Sequence, residues 1–245
     1  MRSKLLFIFI ISIGFGESPD SLFKRGTEHL EKGNYIMAVN DFESILKQGL
    51  NHKNLYYNLG NSYYRSGNYG QAIWAYEKGL AINPIDKDIE FNLSIANSYI
   101  KDRIHIPEVF FLLKWYRMIK KYFTFSKLLS ISSLFILLGS LYYLITKLFN
   151  FGFTSFPIQL FLFLSVIFHG ILFDKYLDET HKSEGIVIQN QVQVFSGPFV
   201  RSDAIIFKIH EGIKISIDSE QGDWAEISLL DGKKGWIKSN QLRVL

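Results

Sequence analysis

Between Lys127 and Asp174 the chain carries one formal charge, Lys147. Such long uncharged stretches must be covered by protein or by lipid, which leaves few choices of fold. Leu128 to Thr146 is a run of 19 uncharged residues. At about 1.5 Å per residue it reaches across the ~30 Å hydrocarbon core of a bilayer. The chain after Lys147 allows a short turn near Asn150 to Pro157 and a second apolar run to Phe173. The pattern predicts transmembrane helices at 128–146 and 156–173, and a buried hairpin in a soluble core is the competing reading. An even number of crossings returns both flanking segments to one side. His169 lies inside the second run and is expected to be neutral and bonded to a serine of the facing helix, because an imidazole in lipid needs a partner.

At the other end, Arg2 and Lys4 precede an apolar run from Leu5 to Phe15, with Gly14 and Gly16 as small residues before Glu17. Residues 1–16 read as a secretory signal peptide, and an uncleaved N-terminal anchor is the alternative. Either one sends the next domain out of the cytoplasm. The formal net charge of +4 is local: residues 17–100 sum to −2 and residues 186–245 to zero. Residues 101–127 hold seven bases (Lys101, Arg103, Lys114, Arg117, Lys120, Lys121, Lys127) against Asp102 and Glu108. A basic stripe beside an apolar run suits lipid headgroups better than a nucleic-acid groove. Within it, 108–124 reads as an amphipathic juxtamembrane segment, with Val109, Phe110, Leu113, Tyr116 and Phe123 among the bases and Trp115 and Tyr116 as interfacial anchors. Placed outside, this stripe runs against the positive-inside tendency, and the signal segment is given precedence because the first export element sets orientation.

Residues 17–105 carry a repeat. Gly26, Gly33, Tyr35, Ala38 and Phe42 are answered by Gly60, Gly67, Tyr69, Ala72 and Tyr76, each 34 positions later. That period belongs to helix–turn–helix repeats. Small Gly60 and Ala72 suit a close helix contact, Gly67 permits the turn and Pro84 follows the second helix. The stretch "YYNLGNSYYRSGNYGQAIWAYEKGLAINP" in unit 53–86 resembles the tetratricopeptide consensus. Unit 19–52 is looser, with Arg25 where Leu is usual and Leu50 where Pro is usual. Two units leave an apolar face for a neighbour, so residues 87–101 are predicted to add a closing helix, with Phe91, Ile95 and Tyr99 on one face and Leu93 and Ala96 beside it. Asn54, Tyr57, Asn61, Tyr64 and Arg65, with Phe91 and Asn92 from the next helix, are the expected groove residues. The two amides suit a peptide backbone and Arg65 an acidic group.

Beyond a linker at 174–185, residues 186–245 alternate with period two. Val192/Val194, Ile213/Ile215/Ile217, Ala225/Ile227 and Trp236 read as short strands. Gly197-Pro198, Glu220 to Asp223 and Asp231 to Gly235 read as turns. Many short strands in so few residues predict a small closed barrel. Gly222-Asp223-Trp224 and the Asp-Gly-x-x-Gly-Trp at 231–236 resemble bacterial SH3 domains. That resemblance implies a peptidoglycan-binding surface, for which Phe199 and Trp224 are the expected exposed aromatics and Trp236 core.

No reaction is visible. The chain has no cysteine, so disulfides, thiolate metal sites and cysteine nucleophiles are excluded. No two histidines stand at i, i+3 or i+4, and neither a phosphate-cradling glycine loop nor a nucleophile elbow is present. The expectation is a protein that is not an enzyme and uses no metal and no cofactor. The fold class expected is an all-α tetratricopeptide array, two transmembrane helices and a C-terminal all-β SH3-like barrel. In that order, with "FNLSIANSYIKDRI" and "PEVFFLLKWYRMIKKYF" between, the parts resemble the BatE-like proteins of the Bacteroides aerotolerance operon. The resemblance implies an inner-membrane protein with periplasmic soluble domains. It also implies a scaffold role beside von Willebrand A-domain membrane proteins and a MoxR-type ATPase. Cell-wall attachment through the barrel is the alternative function.

Overall fold

The computed structural model describes residues 17–102, 110–149, 152, 154–181 and 183–245; the expected signal segment 1–16 lies outside them. The repeat appears as two helix pairs, α1 (Pro19–Glu31) with α2 (Tyr35–Lys47) and α3 (Lys53–Arg65) with α4 (Tyr69–Ile82). Gly33 and Gly67 take positive φ, 79° and 81°, in the two intra-unit turns. Each pair crosses at a glycine pressed on an aromatic ring. A Cβ on Gly26 would stand 2.7 Å from the Phe42 ring, and one on Gly60 would stand 2.5 Å from the Tyr76 ring. Ala38 and Ala72 are fully buried beside these contacts. Arg25, at a position where Leu is usual, bonds the buried carboxylate of Asp41 at 2.5 Å and Glu17 at 2.5 Å.

Helix α5 (Lys87–Ser98) closes the array. Asp86 caps it by accepting from the Ile89 amide at 3.1 Å, which settles one of the orphan donors of a helix start. The face it buries is Ile89, Leu93 and Ala96, and not the expected Phe91, Ile95 and Tyr99. Ile89 lies against Gly79 of α4, where a Cβ would be 2.9 Å from its Cδ1. The spacing i, i+4, i+7 holds these three residues on one side and leaves Phe91 64% exposed.

Helix α6 (Phe111–Tyr122) leads into α7 (Phe125–Leu148) and α8 (Phe156–His181). Both α7 and α8 are long and apolar enough to cross a membrane. In each, 17% of the most apolar window is buried, whereas a core helix of a soluble fold would be mostly covered. They meet along small residues: Ser132, Gly139 and Thr146 of α7 are buried, and a Cβ on Gly139 would rest 3.5 Å from that of Phe161. Small residues let apolar helices approach where no hydrophobic force distinguishes neighbour from lipid. Ser132 of α7 bonds His169 of α8 and lies 3.3 Å from Ser165 Oγ, so the imidazole has the facing serine expected for it. The residues read as a linker, 174–185, instead continue α8 to His181 and enter a strand at Ser183. Asp174, Lys175 and Asp178 keep the helical register because their side chains bond α6.

The C-terminal part is a seven-stranded antiparallel sheet in the order β3-β2-β6-β5-β4-β1-β7. The strands are β1 (Ser183–Val187), β2 (Gln191–Phe195), β3 (Ile205–His210), β4 (Lys214–Gln221), β5 (Trp224–Ser228), β6 (Lys234–Lys238) and β7 (Leu242–Val244). Alternate residues such as Val192, Val194, Ile215, Ala225, Ile227 and Ile237 form its core, as a period of two dictates. The Asp-Gly-x-x-Gly-Trp stretch has a steric cause. Gly232 turns at φ 88°, and a Cβ on Gly235 would fall 2.5 Å from Val194 Cγ1 and 2.9 Å from the Phe195 carbonyl.

The sheet is seated on the helical array, on the side of α4. The Gly70 amide donates to Glu211 at 2.8 Å, and a Cβ on Gly70 would meet the Val187 carbonyl at 2.6 Å. Ile186 of β1 is buried within the array's own core. Trp74 Nε1 donates to the Val244 carbonyl at 2.8 Å while the Arg243 guanidinium lies 3.3 Å from the centre of its ring. Arg243 also pairs with Glu43 of α2 at 2.7 Å and donates to Gln71 at 3.0 Å. Asp102 accepts from the His210 amide at 2.7 Å.

The Gly60 contact gives a direct test. Gly60→Leu or Ala72→Leu should destabilise the array by about 1–3 kcal/mol through overpacking, read as a lowered melting temperature by circular dichroism. An unchanged melting temperature in both variants would mean that the close crossing does not hold the array.

Candidate functional site

The array leaves a cavity of about 680 Å³ on the side away from the sheet. Tyr57, Asn61, Tyr64 and Arg65 of α3 form its floor, and Asn92 and Ile95 of α5 form one wall. Leu30, Glu31 and Tyr35 of the first unit form the other, with Tyr76 beneath. Helical spacing explains the floor, since 57, 61, 64 and 65 fall on one face of α3. The Asp86 cap sets the start of α5 and hence the position of Asn92.

Two amides are fixed in this cavity. Asn61 Oδ1 accepts from Tyr76 OH at 2.7 Å and from Asn92 Nδ2 at 2.9 Å. Those bonds leave the Asn61 amide group as donor and the Asn92 carbonyl as acceptor, which is one complementary pair for a peptide unit. Burial pushes the Tyr76 hydroxyl well above its ordinary range, so it stays a neutral donor. Tyr64 is held by ring contacts to Tyr69 at 5.7 Å and Tyr99 at 5.8 Å, and those two stack at 4.5 Å. Glu31 and Arg65 supply one charge of each sign.

Of the residues expected in a groove, Tyr57, Asn61, Tyr64, Arg65 and Asn92 come together here. Asn54 is exposed and lies off the cavity, a turn before Tyr57; Phe91 points away because it is one residue out of phase with Asn92. Leu30 and Glu31 were legible in the repeat and were missed: they stand 34 positions before Tyr64 and Arg65.

The sheet carries a smaller cavity of about 310 Å³ lined by Gln191, Gln193, Phe195, Val200, Trp224 and Lys238, with Gln241 at its edge. Trp224, expected as an exposed aromatic, is 7% exposed. Its ring meets Phe195 edge-on at 5.5 Å, and Lys238 Nζ covers its face at 4.1 Å. Trp236, expected as core, is the half-buried one: the register Trp224↔Lys238 and Glu226↔Trp236 sets both tryptophans on the face opposite Ala225, Ile227 and Ile237, where Trp236 packs at the side of the Phe195–Trp224 cluster. Phe199 is 46% exposed and does not line the cavity. Among the described residues no group of three His, Cys, Asp or Glu side chains could hold a metal ion.

Residues 54–86 match the tetratricopeptide repeat family, so the second helix pair, with the cavity floor, is a tetratricopeptide unit. Tetratricopeptide folds are typically non-enzymatic and typically serve protein–protein interaction. The chain is also similar to a Bacillus subtilis (strain 168) protein named as an N-acetylmuramoyl-L-alanine amidase, YrvJ. The two are 33% identical over 79 residues, 32% of this chain, and the match spans 15% of that protein's length.

The cap of α5 links the stability of the array to pH. Lys53 pairs with Asp86 at 2.7 Å and, with the Ile89 amide, holds its carboxyl below the ordinary value of 3.8. A depressed carboxyl stabilises the fold fully above its unfolded value and loses that contribution as pH falls through the folded one. Asp86→Asn keeps a capping side chain and removes the titration, so the variant should lose less stability than the parent between neutral pH and pH ~3. Thermal melts at both pH values test this, and equal losses in parent and variant would contradict it.

Proposed function

We propose that the protein is a membrane-anchored scaffold whose tetratricopeptide groove holds an extended segment of a partner protein. The observation that carries the reading is the pair of fixed amides, Asn61 and Asn92, in a cavity floored by Tyr57 and Tyr64. An ordinary solvated helix surface would not lock two amides to each other and to a buried tyrosine. Tyr57 and Tyr64 supply apolar area at low entropic cost, and Arg65 an anchor for an acidic side chain.

The hairpin α7–α8 is the membrane anchor in this reading, with the soluble parts on the periplasmic side of a bacterial inner membrane. The basic stripe opposes that orientation less than its charge count implies. Lys120 pairs with Asp174 and, at 2.5 Å, with Asp178, so part of the stripe is neutralised by the returning helix. The partner class we favour is the von Willebrand A-domain membrane proteins of a Bat-type envelope complex, on the strength of the order of domains.

A second reading has its own support. The similarity to a named amidase, and a sheet cavity with a lysine over a tryptophan beside two glutamines, suit the carboxylate and amides of a cell-wall peptide. In that case the SH3-like sheet anchors the protein to peptidoglycan.

Co-purification from detergent extracts, with and without muramidase, separates the readings. The triple variant Tyr57→Ala, Asn61→Ala, Arg65→Ala should lose envelope protein partners at unchanged abundance and helicity. Recovery of every partner by a normally folded triple variant would overturn the groove reading. Loss of partners on wall digestion alone would favour the second.

A further inference from the structure

Helix α6 has one side spoken for and one side bare. On the first, Tyr116 OH donates to Asp174 at 2.5 Å and Lys120 pairs with Asp174 and Asp178. Lys175 Nζ donates to the carbonyls of Lys120 and Phe123 at 3.0 and 3.2 Å. Tyr116, Ile119 and Phe123 pack on Leu128, Ile171 and Leu172 at the mouth of the hairpin. Tyr116 is thereby a clamp to α8 and not the interfacial anchor that the sequence suggested. On the other side, Phe111, Trp115 and Met118 stand at i, i+4, i+7 in one stripe, and Trp115 is 62% exposed. Lys114 and Arg117 border this stripe, exposed and without a carboxylate partner among the described residues. The C-terminal end of α6 reaches the array: Tyr122 OH donates to Glu90 of α5 at 3.2 Å, and Lys121 lies 3.8 Å from the same carboxylate.

We propose that α6 is a strut lying in the anionic headgroup layer of the bilayer, its bare face in lipid, and that it sets the height and tilt of the groove above the membrane. The proposal rests on the reading that α7 and α8 cross that bilayer. Lipid is the occupant the observations favour over a protein partner. The stripe belongs to the helix that leads directly into α7, and the clamp ties that helix to Asp174 and Asp178, the first acidic residues after the apolar run of α8. Its bordering charges are both positive, as an anionic lipid surface requires. A helix so placed, tied to α8 on one side and to α5 at its end, transmits the membrane plane to the groove wall.

Because the chain has no cysteine, a single introduced one reports alone. Full-length Met118→Cys and, separately, Leu137→Cys from the middle of α7 would carry an environment-sensitive fluorophore. Each would be reconstituted in vesicles of phosphatidylcholine with or without phosphatidylglycerol, with quenchers attached near the headgroup or near the acyl-chain end. The Leu137→Cys label should be quenched more by the deep probe. The Met118→Cys label should be quenched more by the shallow one, and more strongly with phosphatidylglycerol present. Adding Lys114→Gln and Arg117→Gln should reduce that lipid dependence. A Met118→Cys label unquenched in every lipid, beside a deeply quenched Leu137→Cys label, would overturn the strut while the hairpin stands. Neither label quenched would overturn the membrane reading and the strut with it. Shallow quenching identical with and without phosphatidylglycerol would overturn the anionic headgroup as the ligand.

Discussion

Arg243 holds three parts of the chain at once. Part of the last strand of the sheet, it places its guanidinium over the Trp74 ring of the second repeat unit and pairs with Glu43 of the first. Trp74 completes the arrangement by donating its indole proton to the neighbouring Val244 carbonyl. A cation over an indole gains when it is desolvated, and a half-buried carboxylate next to it keeps that charge paired. Removing the guanidinium would strand Glu43 against Tyr63, whose hydroxyl already donates to the same carboxylate at 2.7 Å. Breaking one partner of such a pair costs more than never having built it.

Everything else in the architecture follows from seating the sheet there. Two tetratricopeptide units and one closing helix leave the α4 side uncovered, and stacked repeats need a cap. Here the cap is the sheet, with Ile186 buried in the array's core and Gly70 and Gly212 small enough to admit the approach. The hairpin is what makes this seating possible, since α8 runs back along α7 and returns the chain to the array. The cost of closing so long a connection grows slowly with its length, and α7 packed on α8 shortens the loop in effect. The sheet takes the α4 side, so the cavity between α3 and α5 stays open.

The local parts of this fold were written in local patterns. A 34-residue period gave the crossing glycines, the positive-φ turns and most of the cavity floor, because each of those features lies within one helix pair. The uncharged runs gave α7 and α8, and the imidazole within the second run required its serine. What escaped was non-local. Asp174 and Asp178 looked like linker charges until α6 supplied their partners, so the helix was expected to end too soon. Strands β1, β3 and β7 carry no isolated alternation strong enough to announce them, and they form because neighbours far along the chain complete their ladders. Trp224 and Trp236 share the face opposite Ala225, Ile227 and Ile237, and Trp224 is the better covered because the Phe195 ring and Lys238, which come from elsewhere in the chain, close over it. Arg243, 169 positions from Trp74, had no signal in its own neighbourhood at all.

The central claim is that the array and the sheet are one rigid body fastened at Arg243. It is tested most directly by the distance between Lys24→Cys on α1 and Glu220→Cys on β4, both exposed, spin-labelled and measured by pulsed electron resonance in lipid vesicles. The account predicts a single narrow distribution that Arg243→Ala broadens. A broad distribution in the parent chain, or one that Arg243→Ala leaves unchanged, would contradict it.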